Sequence, residues 1–179
     1  MILLIIIIFL VIYTYKTHKN LTKRKNRVNE SWIRIENLIK NRNDMILSLI
    51  EVAGEYNMKK DTINNIKNTR SNLLSSKKRK DKMTNSNKLS DELSYLFALT
   101  EDYPDLKVDR KFLDIQSKIH DTEDQINNTK IRYNKLALDY KNKINFFPSK
   151  IVAYIFKFKP AEIFSEEKAN IEEIEVLEF

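Results

Sequence analysis

The stretch "VNESWIRIENLIKNRNDMILSLIEVAGEY", residues 28–56, repeats its seam positions at alternating intervals of four and three residues. This spacing is a heptad seam, and it predicts one long amphipathic helix with a single buried stripe. The stripe includes one aromatic indole, Trp32, and one cation, Arg42, and we expect Trp32 to be buried. The seam consists of Val28, Trp32, Ile35, Ile39, Arg42, Ile46, Leu49, Ala53 and Tyr56.

A second seam of similar length follows near the other end of the chain. Two shorter helical patterns, residues 61–75 and 90–103, lie between the seams, with a polar, basic loop predicted at residues 75–87. Isolated helices gain little stability from propensity, so these stripes need one another. The second seam consists of Phe112, Ile115, Ile119, Thr122, Ile126, Thr129, Tyr133, Leu136 and Tyr140, followed by Ile144 and Phe147.

The fold class predicted from this pattern is all-α. It comprises an N-terminal transmembrane helix followed by an antiparallel up-and-down four-helix bundle over residues 28–147, with two long and two short helices. Gly54 and Asn57 are the candidates for a break after the first long helix. The spacing also allows one continuous helix over residues 20–76, so both readings stay open. Asp105 and Asp109 are the predicted start signals of the last helix.

The chain begins with "MILLIIIIFLVIYTYKTHKN", residues 1–20, which is apolar from Met1 to Tyr15. Fifteen residues of helix span only about 22 Å, less than the roughly 30 Å hydrocarbon core of a bilayer. A cleaved signal peptide and a buried core helix are the alternatives. The stretch lacks a basic n-region, a small-residue cleavage site and a polar face. We therefore expect an uncleaved transmembrane anchor at residues 1–15, with Tyr13 and Tyr15 at the membrane interface.

A basic collar, residues 16–27, follows this anchor. Because basic residues stay on the cytoplasmic side, the collar predicts a single-pass membrane protein with its N-terminus outside and its bundle in the cytoplasm. The same side chains can contact anionic headgroups. They are Lys16, Lys19, Lys23, Arg24, Lys25 and Arg27.

An aromatic and basic segment, residues 148–164, follows the last helix. In an antiparallel bundle the last helix ends back at the membrane, so this segment is either a flap closing the bundle end or an interfacial segment in the headgroups. The interfacial reading uses Lys150, Phe156, Lys157, Phe158 and Lys159. Residues 165–179 are predicted to be an acidic tail.

Composition excludes several functional classes. The 179 residues include one Gly, three Pro and no Cys, which argues against a β-sandwich, a Gly-rich phosphate loop, disulfides and thiolate metal sites. His18 and His120 are far apart, and no catalytic, cofactor-binding or metal-binding constellation is recognisable, so neither an enzyme nor a cofactor is expected. The net charge of +7 lies in blocks rather than along a stripe, which argues against direct nucleic-acid binding.

Two functional hypotheses remain. The first is a non-enzymatic scaffold or interaction platform, anchored in the bilayer, that binds an unidentified protein partner; homo-oligomerisation stays open. The alternative is a membrane-remodelling or lipid-sensing protein that uses the basic collar and the aromatic segment.

Arg42 is a predicted structural site, because a guanidinium in an apolar stripe must be paired or reach water. Extension along its own stem to the bundle edge is one reading. The preferred reading is an ion pair with a carboxylate of the last helix. Counting equal distances from Arg27 and Phe147 along antiparallel helices selects Asp139 as the partner.

Several short motifs resemble the LemA family of bacterial membrane proteins. They are "YPDLK", "FLDIQ", "TEDQI", "RYN" and "FPS…FKFKP…F", within a likeness that runs from about residue 15 to 164. The resemblance implies a short N-terminal anchor, a cytoplasmic four-helix antiparallel bundle and no assigned enzymatic activity. One relative takes part in magnetosome biogenesis.

The chain departs from the family pattern at three places. Leu47 stands where the family usually has a proline, and "NMKKDT" stands where a His-Glu pair is usual. Lys157 stands where the family usually has a glycine. These departures concern the first turn and the end segment rather than the fold.

Overall fold

The computed structural model describes residues 1–164, whose regular elements are all helical. The predicted all-α class and the N-terminal apolar helix are therefore confirmed, whereas the predicted acidic tail lies outside the described residues. The elements are α1 (Ile2–Glu55), α2 (Lys60–Ser75), α3 (Arg79–Leu99), a 3₁₀ turn (Thr100–Asp102), α4 (Pro104–Lys107), α5 (Arg110–Asn145) and α6 (Ser149–Ile155).

The chain divides into two compact units. The first unit contains Met1–Arg34 and the chain from Thr129 onward, and the second contains Ile35–Asn128. Helices α1 and α5 contribute residues to both units.

In the first unit, α1 and α5 are antiparallel neighbours. The rings of Trp32 and Tyr133 lie 5.9 Å apart, and Arg24, two turns earlier on α1, forms an ion pair with Asp139, later on α5. Leu21 is completely buried, so the buried stripe of α1 already begins inside the predicted basic collar.

In the second unit, side chains link α1 to α2 and α3. The guanidinium of Arg70 on α2 donates a hydrogen bond to the backbone carbonyl of Asn43 at 3.0 Å, and Lys82 on α3 pairs with Glu36. Helices α2 and α3 also contact each other, and Thr69 donates to Glu92 at 2.8 Å.

The heptad seams predicted from the sequence correspond to the buried faces of α1 and α5. All members of the first seam are buried except Tyr56, which is half-buried. The second seam is buried except for Leu136, which is half-buried, and Phe147, which follows α5 and is exposed. Trp32 is only 4% exposed, which confirms its predicted burial.

A helix C-cap separates α1 from α2, which resolves the open question of one or two helices. Asn57 has a φ of 53°, its N–H donates to the carbonyl of Gly54, and the N–H of Met58 donates to the carbonyl of Ala53. This is a Schellman motif, in which a left-handed residue closes the last turn. Asn tolerates this conformation better than most residues, so Asn57 is the signal that ends α1.

The same motif ends α6, with a less suitable residue at its centre. Lys157 has a φ of 55°, its N–H donates to the carbonyl of Tyr154, and the N–H of Phe158 donates to the carbonyl of Ala153 at 2.9 Å. The backbone at Lys157 thus adopts the conformation that glycine adopts without a steric cost.

Helix α3 begins earlier than the sequence analysis predicted. The prediction placed a loop at residues 75–87, but the helix starts at Arg79 and buries Met83 and Ser86 on the same face as Leu89. The small polar Ser86 hid this stripe, because its hydroxyl is buried through a hydrogen bond rather than through apolar contacts.

Asp109 caps α5, as predicted. Its carboxylate accepts hydrogen bonds from the backbone N–H of Phe112 at 2.7 Å and from the hydroxyl of Tyr56 at 2.9 Å. The hydrogen bond from Phe112 is the largest cause that lowers the pKa of Asp109, and the same pairing raises the pKa of Tyr56.

Replacing Lys157 with glycine should stabilise the protein by about 1 kcal/mol, because glycine removes the steric cost of the left-handed conformation. The measurement is the thermal midpoint of the full chain in detergent. Lys159→Gly is the matched control, since Lys159 is equally exposed but does not have a positive φ. A rise of the same size in both variants would contradict the role assigned to the cap.

Candidate functional site

The N-terminal part of α1 is apolar on every side and exposed. From Ile2 to Ile12, every large apolar side chain is at least 49% exposed, although the same helix buries its stripe from Leu21 onward. In length and composition α1 is a candidate membrane-spanning helix, which fits membrane anchoring.

The predicted interfacial residues of α1 follow this apolar part directly. Tyr15 is exposed and Tyr13 is half-buried. In the predicted collar, Arg24 differs from the other cations because it forms an ion pair with Asp139. Its guanidinium is therefore already engaged by protein. The other collar cations are exposed: Lys16, Lys19, Lys23, Lys25 and Arg27.

Helix α6 and its flanks carry a second exposed apolar surface. One face of α6 is buried through Ser149, Val152 and Ala153. The opposite face exposes apolar side chains, and the predicted interfacial residues Lys150, Lys157 and Lys159 are exposed beside them. We call these exposed apolar residues the α6 apolar face; they are Phe146, Phe147, Ile151, Tyr154, Ile155 and Phe156.

Aromatic contacts join the α6 apolar face to α1. The imidazole of His18 lies 4.5 Å from the ring of Phe156 and 5.5 Å from the ring of Phe158, measured between ring centroids. His18 follows Tyr15 by three residues, which is about 4.5 Å along a helix. The α6 apolar face is therefore held at the end of the apolar part of α1, so the structure brings together the two groups of interfacial residues predicted from separate ends of the chain.

The segment after α6 is fastened to the helices through its backbone. The side-chain amide of Asn134 accepts a hydrogen bond from the N–H of Phe164 at 2.9 Å, and the hydroxyl of Tyr133 donates to the carbonyl of Glu162 at 2.7 Å. The buried ring of Phe164 packs edge-on to Tyr133 at 5.6 Å and near Trp32. These bonds fix the return path of the chain against α1 and α5.

Arg42 is completely buried in the second unit and paired. Its guanidinium forms an ion pair with Glu123 of α5 and donates to the hydroxyls of Ser90 at 2.8 Å and Ser86 at 3.1 Å. Ser90 also donates to Glu123 at 2.6 Å, so the two charges share a hydroxyl. Multiple charge-assisted bonds of this kind compensate for much of the cost of desolvating a guanidinium.

The predicted pairing of Arg42 with Asp139 is wrong, although the partner does lie on the last helix. Asp139 pairs with Arg24 instead. The prediction placed Phe147 opposite Arg27, but the end segment packs beside His18, so the end of α5 reaches further toward the start of α1. The register differs from the predicted one by roughly two and a half helical turns.

Within residues 1–164, no group of three or more His, Asp or Glu side chains is placed to hold a metal ion.

Comparison with known proteins now decides the family. The family model described as LemA family matches residues 31–179. The chain belongs to the LemA family. No curated protein matches the chain.

Two of the LemA-like motifs contact each other in this chain. The Tyr-Asn pair of "RYN" binds the backbone of residues 162–164, which follow the "FKFKP" motif. The glycine usual in LemA proteins falls at Lys157, where φ is positive. The sequence analysis did not identify Ser86, Ser90 and Glu123 as the partners of Arg42. One signal was available, because Ser86 and Ser90 are four residues apart and therefore lie on the same face of a helix.

Replacing Glu123 with leucine should destabilise the protein by about 3–5 kcal/mol, because it leaves the buried guanidinium of Arg42 without a countercharge. Arg42→Leu should cost less, because the carboxylate of Glu123 is partly exposed and keeps the hydroxyl of Ser90. Denaturant unfolding of the full chain measures both changes.

The control for this pair is Asp139→Leu, which removes a surface ion pair and should cost less than about 1 kcal/mol. Equal costs for Glu123→Leu and Asp139→Leu would show that the buried location of Arg42 has no energetic consequence.

Proposed function

We propose that this protein is a non-enzymatic scaffold, anchored by residues 1–15 at the cytoplasmic face of a bacterial membrane. The observation that carries the proposal is the change of pattern within one helix. Residues 2–12 of α1 expose apolar side chains on all sides, whereas Leu21 and the later stripe are buried against protein. A helix that is apolar all round suits lipid, and one with a single stripe suits a protein core.

The proposed scaffold body is an antiparallel up-and-down bundle of α1, α2, α3 and α5. Contacts inside the second unit support it. Arg42 of α1 bonds to Ser90 of α3 and to Glu123 of α5, and Arg70 of α2 bonds to the backbone of α1. Such a bundle leaves the polar faces of its helices for a protein partner, and that partner or a second copy of the chain is the proposed occupant.

The orientation follows from charge. Five exposed basic side chains lie between Lys16 and Arg27, on the C-terminal side of the apolar residues, and Met1–Tyr15 contains no lysine or arginine. The positive-inside rule therefore supports a single pass with the N-terminus outside and the rest of the chain in the cytoplasm.

Single-cysteine labelling tests this topology, and the absence of native cysteine makes the readout clean. In intact cells, a membrane-impermeant maleimide should label Ile2→Cys and not Ser94→Cys, which is exposed on α3. Cell lysis should make Ser94→Cys reactive. Labelling of Ser94→Cys in intact cells would overturn the proposed orientation.

The second candidate function is lipid sensing or membrane remodelling through the α6 apolar face. The contact of Phe156 with His18 supports it, because this contact holds exposed aromatic residues beside the end of the anchor. Aromatic side chains flanked by lysines favour the headgroup region of a bilayer. The flap reading of residues 148–164 also has support, since Val152, Ala153 and Phe164 are buried.

Lipid contact of α6 can be measured on the full chain in nanodiscs. A fluorophore on Tyr154→Cys should be quenched by lipids that carry a doxyl group in the upper acyl chain, because Tyr154 is 86% exposed on the α6 apolar face. The control is the same label on Tyr95→Cys, an exposed tyrosine of α3. Equal weak quenching at both positions would favour the flap and remove the lipid-sensing function.

A further inference from the structure

A groove of about 470 Å³ lies in the first unit. Helices α1 and α5 both contribute to it. Its side chains are mostly cationic or polar: Arg27, Glu30, Ser31, Arg34, Arg132 and Leu136. The volume lies within the range of roughly 300–1,000 Å³ that is usual for small-molecule sites.

The charge of the groove is positive and uncompensated. Three guanidiniums face one carboxylate, and an arginine side chain does not lose its proton at physiological pH. Arg27 and Arg34 are seven residues apart, so they lie on one side of α1. Among residues 1–164, the ion pairs that contain an arginine include those of Arg24 and Arg42, and none of the three arginines of the groove forms one.

Ser31 adds an independent observation. Its side chain is only 8% exposed, its hydroxyl oxygen is inaccessible, and that hydroxyl has no hydrogen-bond partner. A buried hydroxyl without a hydrogen-bond partner is destabilising, because nothing compensates for the loss of its bonds to water. An unpaired hydroxyl in the lining of a cationic groove is a hydrogen-bond donor available to a bound anion.

We propose that this groove binds a phosphoryl group. Guanidinium groups bind phosphate oxygens with two parallel hydrogen bonds, and the dianion offers enough acceptors for several arginines and a hydroxyl at once. In this arrangement the three arginines supply the charge. Ser31 lines the groove and donates its hydroxyl proton after a change of its χ1 rotamer, because the hydroxyl oxygen is inaccessible in its present rotamer. Glu30 opposes binding and sets its strength.

The position along α1 favours a soluble phosphate over a lipid headgroup. Arg27 follows Tyr15 by twelve residues, which is about 18 Å of helix. The proposal does not rest on the scaffold function, because the groove is lined mostly by exposed residues of α1 and α5 that lie beyond the anchor. The experiment separates the two sources of phosphate.

The test is calorimetric titration of inorganic phosphate into the full chain in phosphatidylcholine nanodiscs. Saturable binding in the millimolar range or tighter is expected. Arg132→Gln should weaken it about tenfold, since one charge-assisted contact is lost, and Glu30→Gln should strengthen it a few-fold. The matched control is Arg110→Gln, which removes an equal charge from an exposed site outside the groove and should leave affinity unchanged.

Ser31→Ala provides a second test, because this substitution leaves the charge of the groove unchanged. It should weaken phosphate binding and leave the thermal midpoint equal to or above that of the natural chain, because it removes an unpaired buried hydroxyl. A lower thermal midpoint with unchanged phosphate affinity would overturn the role of Ser31.

A second arm uses phosphatidic acid nanodiscs without free phosphate. A stabilisation in these nanodiscs that Arg132→Gln abolishes would assign the phosphoryl group to a lipid. Absence of saturable binding in both arms, or equal losses in Arg110→Gln and Arg132→Gln, would overturn the site.

Discussion

Helix α1 has to satisfy two different surroundings without a break. Up to Ile12 its side chains are apolar in every direction, and from Leu21 they are apolar along one stripe only. The second pattern requires a cover of other helices, and the first requires a surrounding that is not water. The packing of α5 and the end segment against residues 18–32 follows from this constraint, because those residues form the first stretch of α1 that needs protein on one side.

Buried polar side chains hold neighbouring segments against the apolar stripes of α1 and α5. Asn134 pairs with both backbone polar groups of Phe164, as a strand would, so an extended segment can lie in a helical core without unpaired amides. In the second unit, Arg42 joins three helices through polar bonds. Its guanidinium on α1 donates to two hydroxyls of α3 and forms an ion pair with Glu123 of α5. In each unit, directional bonds fix contacts that apolar packing alone would leave free to slide.

The sequence predicts features that depend on nearby residues, such as helix stripes and caps. It does not predict how α1 and α5 align against each other, because distant segments set that register. The seams around Trp32 and Tyr133, the cap at Asp109 and the candidate break at Asn57 are all readable, because each depends on neighbours within a few turns. The partner of Arg42 is not readable in this way. It depends on how far the end segment travels beside His18, and that distance is a property of the packed chain.

The interfacial residues were predicted as two groups, and their meeting at His18 is the new information, whereas their contact with lipid stays a proposal. The start of α3 escaped prediction for a different reason, since Ser86 is buried by a hydrogen bond to Arg42 and not by hydrophobicity. The arginine groove also escaped, because Arg27 was assigned to the collar and the sequence alone does not bring Arg132 of α5 beside it.

The absence of a hinge between Tyr15 and Leu21 has a mechanical consequence. No glycine or proline interrupts α1 there, and its hydrogen-bonded turns continue through this stretch. Because α1 has no such joint, its candidate membrane-spanning part and the part packed against α5 must turn together. If the first fifteen residues cross a bilayer, a change in bilayer thickness that tilts or rotates them would also rotate the part of α1 around His18 and Trp32.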